Sequence, residues 1–254
     1  MKVGWVADKH DPPGGAELTQ AEFRAAVPES VEVIDCAPAL IRGHKGPFNP
    51  NNANGCDLFV AHNHVTYPPT DWNRPVVRYH HDMRPQHIAG DISIYCSPLQ
   101  RERLKGDGPT VPPPIDLAAF KPTRQQRRNT ERKGTCCVGA FMNPGKGGYR
   151  VATWADENEP VDVYGFGPFL PEGPNINYCG PLEQAQVAQT LWKYERFVFL
   201  PVDLEPFGRC VVEAWAAGCD LVINGNVGAR YWLEENPEAL ETASADFWAV
   251  VLDA

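Results

Sequence analysis

Near its midpoint the chain breaks. Pro112–Pro114 are three consecutive prolines, and Lys121–Lys133 (KPTRQQRRNTERK) is basic and almost free of apolar side chains. Proline fixes φ and donates no hydrogen bond, so regular pairing stops there. Short apolar runs recur on either side. Val3–Ala7, Val31–Cys36, Leu58–Ala61, Pro75–Tyr79 and Ile92–Cys96 precede the break; Thr135–Ala140, Val161–Gly165, Phe197–Pro201 and Leu221–Asn224 follow it. Each is about five residues long and rich in Val, Ile or aromatics, the pattern of strands buried on both faces of a parallel sheet. Helical patterns fall between them at Ala16–Ala26, 149–156, Glu183–Trp192 and Phe207–Ala217, with Gly218 placed to end the last. This alternation predicts an α/β protein of two βαβ domains. The boundaries read 1–118 for the first, 119–133 for a basic linker and 134–254 for the second, which closes with a helix at Ala243–Leu252. The segments 37–56 and 62–74, rich in Pro, Gly and Asn, read as loops.

Bulk properties exclude several classes. No stretch approaches the ~20 apolar residues of a membrane span. Met1–Asp8 holds one short apolar run and does not read as a signal peptide, so a cytoplasmic location is expected. A net charge of −9 argues against a large nucleic-acid footprint. The basic stretch reads as a solvated linker, with an anion-binding patch as the alternative. The eight cysteines form no CxxC pair and several sit in apolar runs, so buried free thiols are expected rather than disulfides or a zinc site.

The segment richest in chemistry is Leu200–Asn224 (LPVDLEPFGRCVVEAWAAGCDLVIN). Glu205 lies in a loop just before a helix, and Glu213 lies within that helix. Gly208 lets a ligand approach the backbone, and the N–H groups at the helix start suit a diphosphate. At 1.5 Å per residue, Glu213 sits ~7–8 Å along the helix, roughly the distance from a diphosphate to the ribose of a nucleotide. Carboxylates accept strongly from sugar hydroxyls.

Glu205–Gly218 matches the pattern E-P-F-G-x-x-x-x-E-A-x-A-x-G, and here the chain resembles the retaining GT-B glycosyltransferases of family 4, the sucrose-synthase/mannosyltransferase group. Other segments fall in the family's order. Gly14–Glu17 (GGAE) resembles its N-terminal glycine loop, and Tyr79–Asp82 (YHHD) its H-D after a strand. Ser97-Pro98 and Pro113–Asp116 (PPID) also fit. Val138–Gly147 (VGAFMNPGKG) resembles V-G-R-L…K-G, and Gly165–Gly167 (GFG) the next strand-end glycine pair. The resemblance implies a GT-B fold, two Rossmann-like domains facing a cleft, with an unusually compact N-terminal domain. It implies transfer of a sugar from a nucleotide-sugar donor, a UDP- or GDP-sugar, to an acceptor hydroxyl with retention of configuration. It implies no tightly bound cofactor and no metal. Glu205, His81 and Lys146 would be catalytic. Gly14, Gly15, Lys146, Gly165, Gly167, Phe207, Gly208, Arg209 and Glu213 would bind the donor. His81 would face the transferred sugar, Lys146 would neutralise the diphosphate and Glu213 would hold the ribose.

One position departs: Ala140 stands where the family commonly has an arginine beside that lysine. Arg209, Arg78 and Arg84 are candidate replacements. A catalytically reduced nucleotide- or glycan-binding protein is therefore a second reading. The acceptor is open among glycan, lipid and small molecule; a modified base in viral DNA fits the basic stretch but not the overall acidity. Competing motifs are weaker. Gly139–Gly147 has the wrong spacing for a P-loop, and GFG lacks the third glycine of a dinucleotide fingerprint. His62, His64, His80, His81 and Asp82 could converge on a metal.

Overall fold

The computed structural model of the protein describes residues 1–7, 14–36, 55–62, 74–83 and 91–254. It divides into two compact units, Met1–Pro114 with Glu234–Ala254, and Ile115–Leu233. The first unit runs β1 (Lys2–Val6), α1 (Gly15–Ala25), β2 (Glu32–Asp35), β3 (Leu58–His62), β4 (Val76–His80), β5 (Ile92–Tyr95) and α2 (Pro98–Leu104). Its five strands are parallel in the order β2-β1-β3-β4-β5. All of β3 and β4 is buried, so these strands read as unbroken apolar runs. On one face Gly4 leaves room for Phe59, whose ring a Cβ at position 4 would meet at 2.3 Å. The loops expected at 37–56 and 62–74 lie almost wholly outside the described residues, as do His64 and Arg84.

The second unit contains α3 (Leu117–Phe120), α4 (Arg124–Asn129), β6 (Thr135–Ala140), α5 (Gly148–Glu157), β7 (Val161–Phe166), β8 (Ile176–Gly180), α6 (Gln184–Leu191), β9 (Arg196–Phe199), α7 (Arg209–Ala216), β10 (Asp220–Ile223) and α8 (Ala229–Glu235). Its parallel order is β10-β9-β6-β7-β8. Cys137, Phe141, Val151, Ala155, Val161, Val163 and Val198 form its core. Gly218 ends α7 as expected: its N–H donates to Trp215 O and that of Cys219 to Ala214 O, a left-handed glycine closure.

Three expectations need correction. The segment read as a linker at 119–133 is structured and belongs to the second unit. Asp116 and Thr123 cap two short helices there, and the Trp192 indole donates to Phe120 O at 2.6 Å. Arg132 is no solvated charge: it donates to Tyr194 O, just past α6, and to Ala217 O, at the end of α7. Strand β8 has no apolar run because it is an exposed edge.

The third correction concerns the closing helix, α9 (Ala239–Leu252), which groups with the first unit. Phe247 stacks on Phe23 at 3.9 Å, and Trp248 Nε1–H donates to Phe23 O at 2.8 Å in a buried site. Apolar area, not chain proximity, decided this docking. Trp248→Phe is expected to destabilise the protein by about 1–2 kcal/mol, through the lost hydrogen bond and a small void. Denaturant unfolding checks it.

All eight cysteines are free; six are buried, Cys210 is half-buried and Cys179 is exposed. Burial pushes the Cys36 and Cys137 thiols up to about 12. Only the thiolate attacks. In the native protein at pH 8 a maleimide is expected to modify Cys179 first, and Cys137 only on unfolding, as read by mass spectrometry.

Candidate active site

In an open parallel sheet, ligands bind at the carboxyl ends of strands where the strand order reverses. In the second unit that point is β6, which lies between β9 and β7. The loops after β6 and β9 meet there. Gly145 O accepts from the N–H groups of Val202 and Asp203 at 2.8 and 3.0 Å. A Cβ on Gly145 would lie 1.9 Å from Asp203 Oδ2, and one on Gly147, at φ 76°, 2.2 Å from Leu200 O. Both glycines are therefore required by the close approach of the two loops.

That stitching carries Lys146 to Glu205. Lys146 Nζ donates to Glu205 Oε2 at 2.5 Å, across 59 positions of sequence. Burial alone would lower the Lys146 pKa, but the charge and hydrogen bond of Glu205 outweigh it and the net shift is upward. The ammonium is thus retained through neutral pH, its charge stabilising the fold below its raised pKa and lost only above it. The Glu205 backbone is held separately: its N–H donates to Asn226 O and its O accepts from Gly228 N, a parallel bridge to Val227. The Asn224 and Asn226 amides bind Pro201 O, and Asn226 also Val202 O. Sequence reasoning missed this pair. Asn-Gly-Asn directly after a strand was the available signal, since asparagine side chains bond nearby backbone in turns.

Gly208 precedes α7 at φ 87°, ψ 70°, a left-handed conformation suited to glycine. The N–H groups of Arg209 and Cys210 begin the helix and have no intrahelical acceptor, so they can meet an anion. Glu213, one turn on, is 5% exposed, with its Oε1 3.8 Å from Arg209 Nε. Burial first, then the charges of Glu213 and Glu205, raises the Cys210 thiol well above its ordinary value. Lys146, Glu205, Gly208, Arg209 and Glu213 are therefore gathered at one end of one sheet.

Other candidates fare differently. Phe207, in the loop before α7, is 4% exposed and buries its side chain among the core residues of the second unit. Gly165 and Gly167 end β7, where added Cβ atoms would lie 1.9 Å from Gly139 O and 2.4 Å from Phe141 O; strand packing already explains both. Ala140 is exposed at the end of β6. Arg78 cannot replace the missing arginine, because it is fully buried in the middle of β4. Arg209 is the described candidate that lies in the same unit as Lys146.

In the first unit, Gly14 and Gly15 open α1, exposed, and Glu17 accepts from Gly14 N–H at 2.9 Å. His81 follows β4 and lies 2.9 Å from His62, Nε2 to Nδ1. His80 points to the opposite face by strand alternation and stacks flat on Tyr95. Burial, then Arg78, lowers its pKa to about 4. Among the described residues no three His, Cys, Asp or Glu side chains converge as a metal site; His64, one of the histidines read as a ligand, lies outside them. Ser97 is a buried cap for α2, accepting from Gln100 N–H.

No protein-family model matches the chain, and no curated protein matches it in sequence. Solved structures do. AviGT4, a glycosyltransferase involved in avilamycin A biosynthesis, aligns with a TM-score of 0.70 at 19% identity, over 96% of this chain and 88% of its own. Sucrose-phosphate synthase from Thermosynechococcus elongatus gives 0.70 at 14%, over 98% and 90%. Anabaena HepE in complex with UDP-glucose gives 0.67 at 15%, over 96% and 89%. At such identities the likeness speaks to architecture, and the architecture it shares is that of these enzymes: two parallel five-stranded α/β units in the GT-B glycosyltransferase fold.

Proposed function

We propose that this protein is a glycosyltransferase that moves a sugar from a nucleotide-sugar donor to an acceptor hydroxyl. The observation that carries the reading is the Lys146–Glu205 contact at the switch point, beside the start of α7 and the buried Glu213. Glu213 would hold the ribose. Lys146 and the first N–H groups of α7 would hold the diphosphate, and Glu205 would accept from the sugar hydroxyls. As the bond from the sugar to the phosphate oxygen breaks, negative charge grows on the leaving phosphate. A preorganised ammonium and helix N–H groups lower that barrier without reorganisation. The resemblance to family 4 supports retention, with the leaving phosphate taking the acceptor's proton. It also supports independence from metal. HepE in complex with UDP-glucose makes UDP-glucose the first donor to test, with GDP-sugars second. The acceptor would be met by the first unit through Gly14, Gly15 and His81.

A second reading, a nucleotide- or glycan-binding protein without turnover, is favoured by one observation: the residue that ends β6, Ala140, carries no charge where the family commonly has an arginine. A donor screen separates the two. UDP-, GDP-, ADP- and TDP-sugars are tested by thermal shift and by slow donor hydrolysis. One donor is expected to raise the melting temperature and to be hydrolysed by the wild type. Stabilisation with neither hydrolysis nor transfer to any acceptor selects the binding protein.

A further inference from the structure

His62 closes β3 and is fully buried. The rings of Trp5, Phe23, Tyr79 and Phe247 surround it at centroid distances of 4.5, 6.4, 5.9 and 6.2 Å. Burial, then the charges of His81, Arg78 and Arg24, holds its pKa well below the ordinary value. It is therefore a neutral imidazole with a single N–H. Its Nδ1 lies 2.9 Å from His81 Nε2, and among the described residues its Nε2 has no hydrogen-bond partner.

A contact between two ring nitrogens at that distance needs one proton and one lone pair. If His81 donated, the lone proton of His62 would sit on Nε2, inside the aromatic cage. The four rings lie within 33–38° of the His62 plane, so none turns its face toward an N–H in that plane. A ring edge is electropositive; it repels an N–H and tolerates a bare nitrogen. The proton of His62 therefore belongs on Nδ1, pointing at His81. The hydrogen bond made by one nitrogen of an imidazole decides which nitrogen carries its proton. His81 must then accept at Nε2 and carry its own proton on Nδ1. The backbone around it is fixed as well: the buried Gln100 donates from Nε2 to His80 O at 3.2 Å and to Asp82 O at 2.8 Å.

We infer that His62 is a positioning residue that orients His81 and locks it as the Nδ1–H tautomer, so that His81 acts as a hydrogen-bond donor through Nδ1 and not as a base through Nε2. The functional half of this inference rests on the proposed reading in which His81 faces the transferred sugar. The tautomer itself does not. The ligand chemistry it fits is an oxygen acceptor, a sugar hydroxyl or a phosphate oxygen.

The test is a two-bond 1H–15N spectrum of the full-length protein labelled with 15N-histidine, at pH 8, with His81 assigned by its loss in His81→Asn. The wild type is expected to show His81 with Nε2 bare and Nδ1 protonated. In His62→Phe, which keeps the ring and removes the donor, His81 is expected to shift toward the Nε2–H form that histidine favours in water. His62→Asn, whose amide N–H can stand near the Nδ1 position, is expected to restore the wild-type pattern. A protonated Nε2 in the wild type overturns the inference, and so does an unchanged tautomer in His62→Phe. Should that variant fail to fold, the wild-type spectrum alone decides. With a donor that the wild type turns over, His62→Phe is expected to lower kcat about 10- to 100-fold with donor KM little changed, the range for losing a partner that orients a working imidazole. An unchanged kcat overturns the positioning role. The locked tautomer in a protein that turns over no donor supports the inference and overturns the transferase reading.

Discussion

Glu205→Ala is expected to lower kcat/KM for sugar transfer by about 10²–10⁴-fold while leaving the melting temperature within a few degrees of wild type. A carboxylate accepting from two sugar hydroxyls makes two charge-assisted hydrogen bonds of ~1.5–3 kcal/mol each. Their loss in the transition state converts to that range at 1.36 kcal/mol per decade. The fold should tolerate the change because the loop backbone is held through Asn226 O and Gly228 N, although the half-buried Lys146 ammonium loses its partner. Glu205→Gln should fall between the two, since an amide still accepts one bond but carries no charge. Steady-state kinetics with the donor that stabilises the wild type measures both. Turnover near wild type in the alanine variant would remove the main support for the transferase reading.

Lys146→Ala should act first on the donor. The ammonium would be the strongest fixed cation at the diphosphate, because Ala140 supplies none. Losing it is expected to weaken donor binding about 10- to 100-fold, the equivalent of ~1.5–3 kcal/mol. The effect on kcat/KM should be larger still, since negative charge on the phosphate rises as the bond breaks. Calorimetric titration of a UDP-sugar gives the first quantity and kinetics the second. The side chain of Glu205 is 16% exposed, so the variant also strands a carboxylate that has lost its cation. The double variant Lys146→Ala/Glu205→Ala separates this from the direct effect: the losses should be less than additive if the two side chains act as one unit. Equal donor affinity in wild type and Lys146→Ala would place the diphosphate elsewhere.

What the chain states locally was legible. The strands of the first sheet, and all but β8 in the second, were placed from their apolar residues; the signal is strongest in β3 and β4, because a parallel strand covered on both faces can carry little else. The span from Glu205 to Gly218 is one loop and one helix, so the spacing of its residues translates directly into geometry. Its termination at Gly218 follows from the left-handed conformation that glycine adopts without strain.

Contacts between distant segments were not legible, because they depend on sheet order and packing, which no local window contains. Strand order brings the loops after β6 and β9 together, and only then does Lys146 meet Glu205. His62, which closes β3, and His81, which follows β4, meet for the same reason. The closing helix follows the second unit in sequence, yet Phe247 and Trp248 bury against Phe23, more than two hundred positions earlier. Arg132 read as one charge in a basic run, but tertiary structure made it the partner of Tyr194 O and Ala217 O. Short-range propensity and spacing set the elements and the glutamate-bearing loop. Burial of apolar area and pairing of backbone polar groups decided which residues the site would hold.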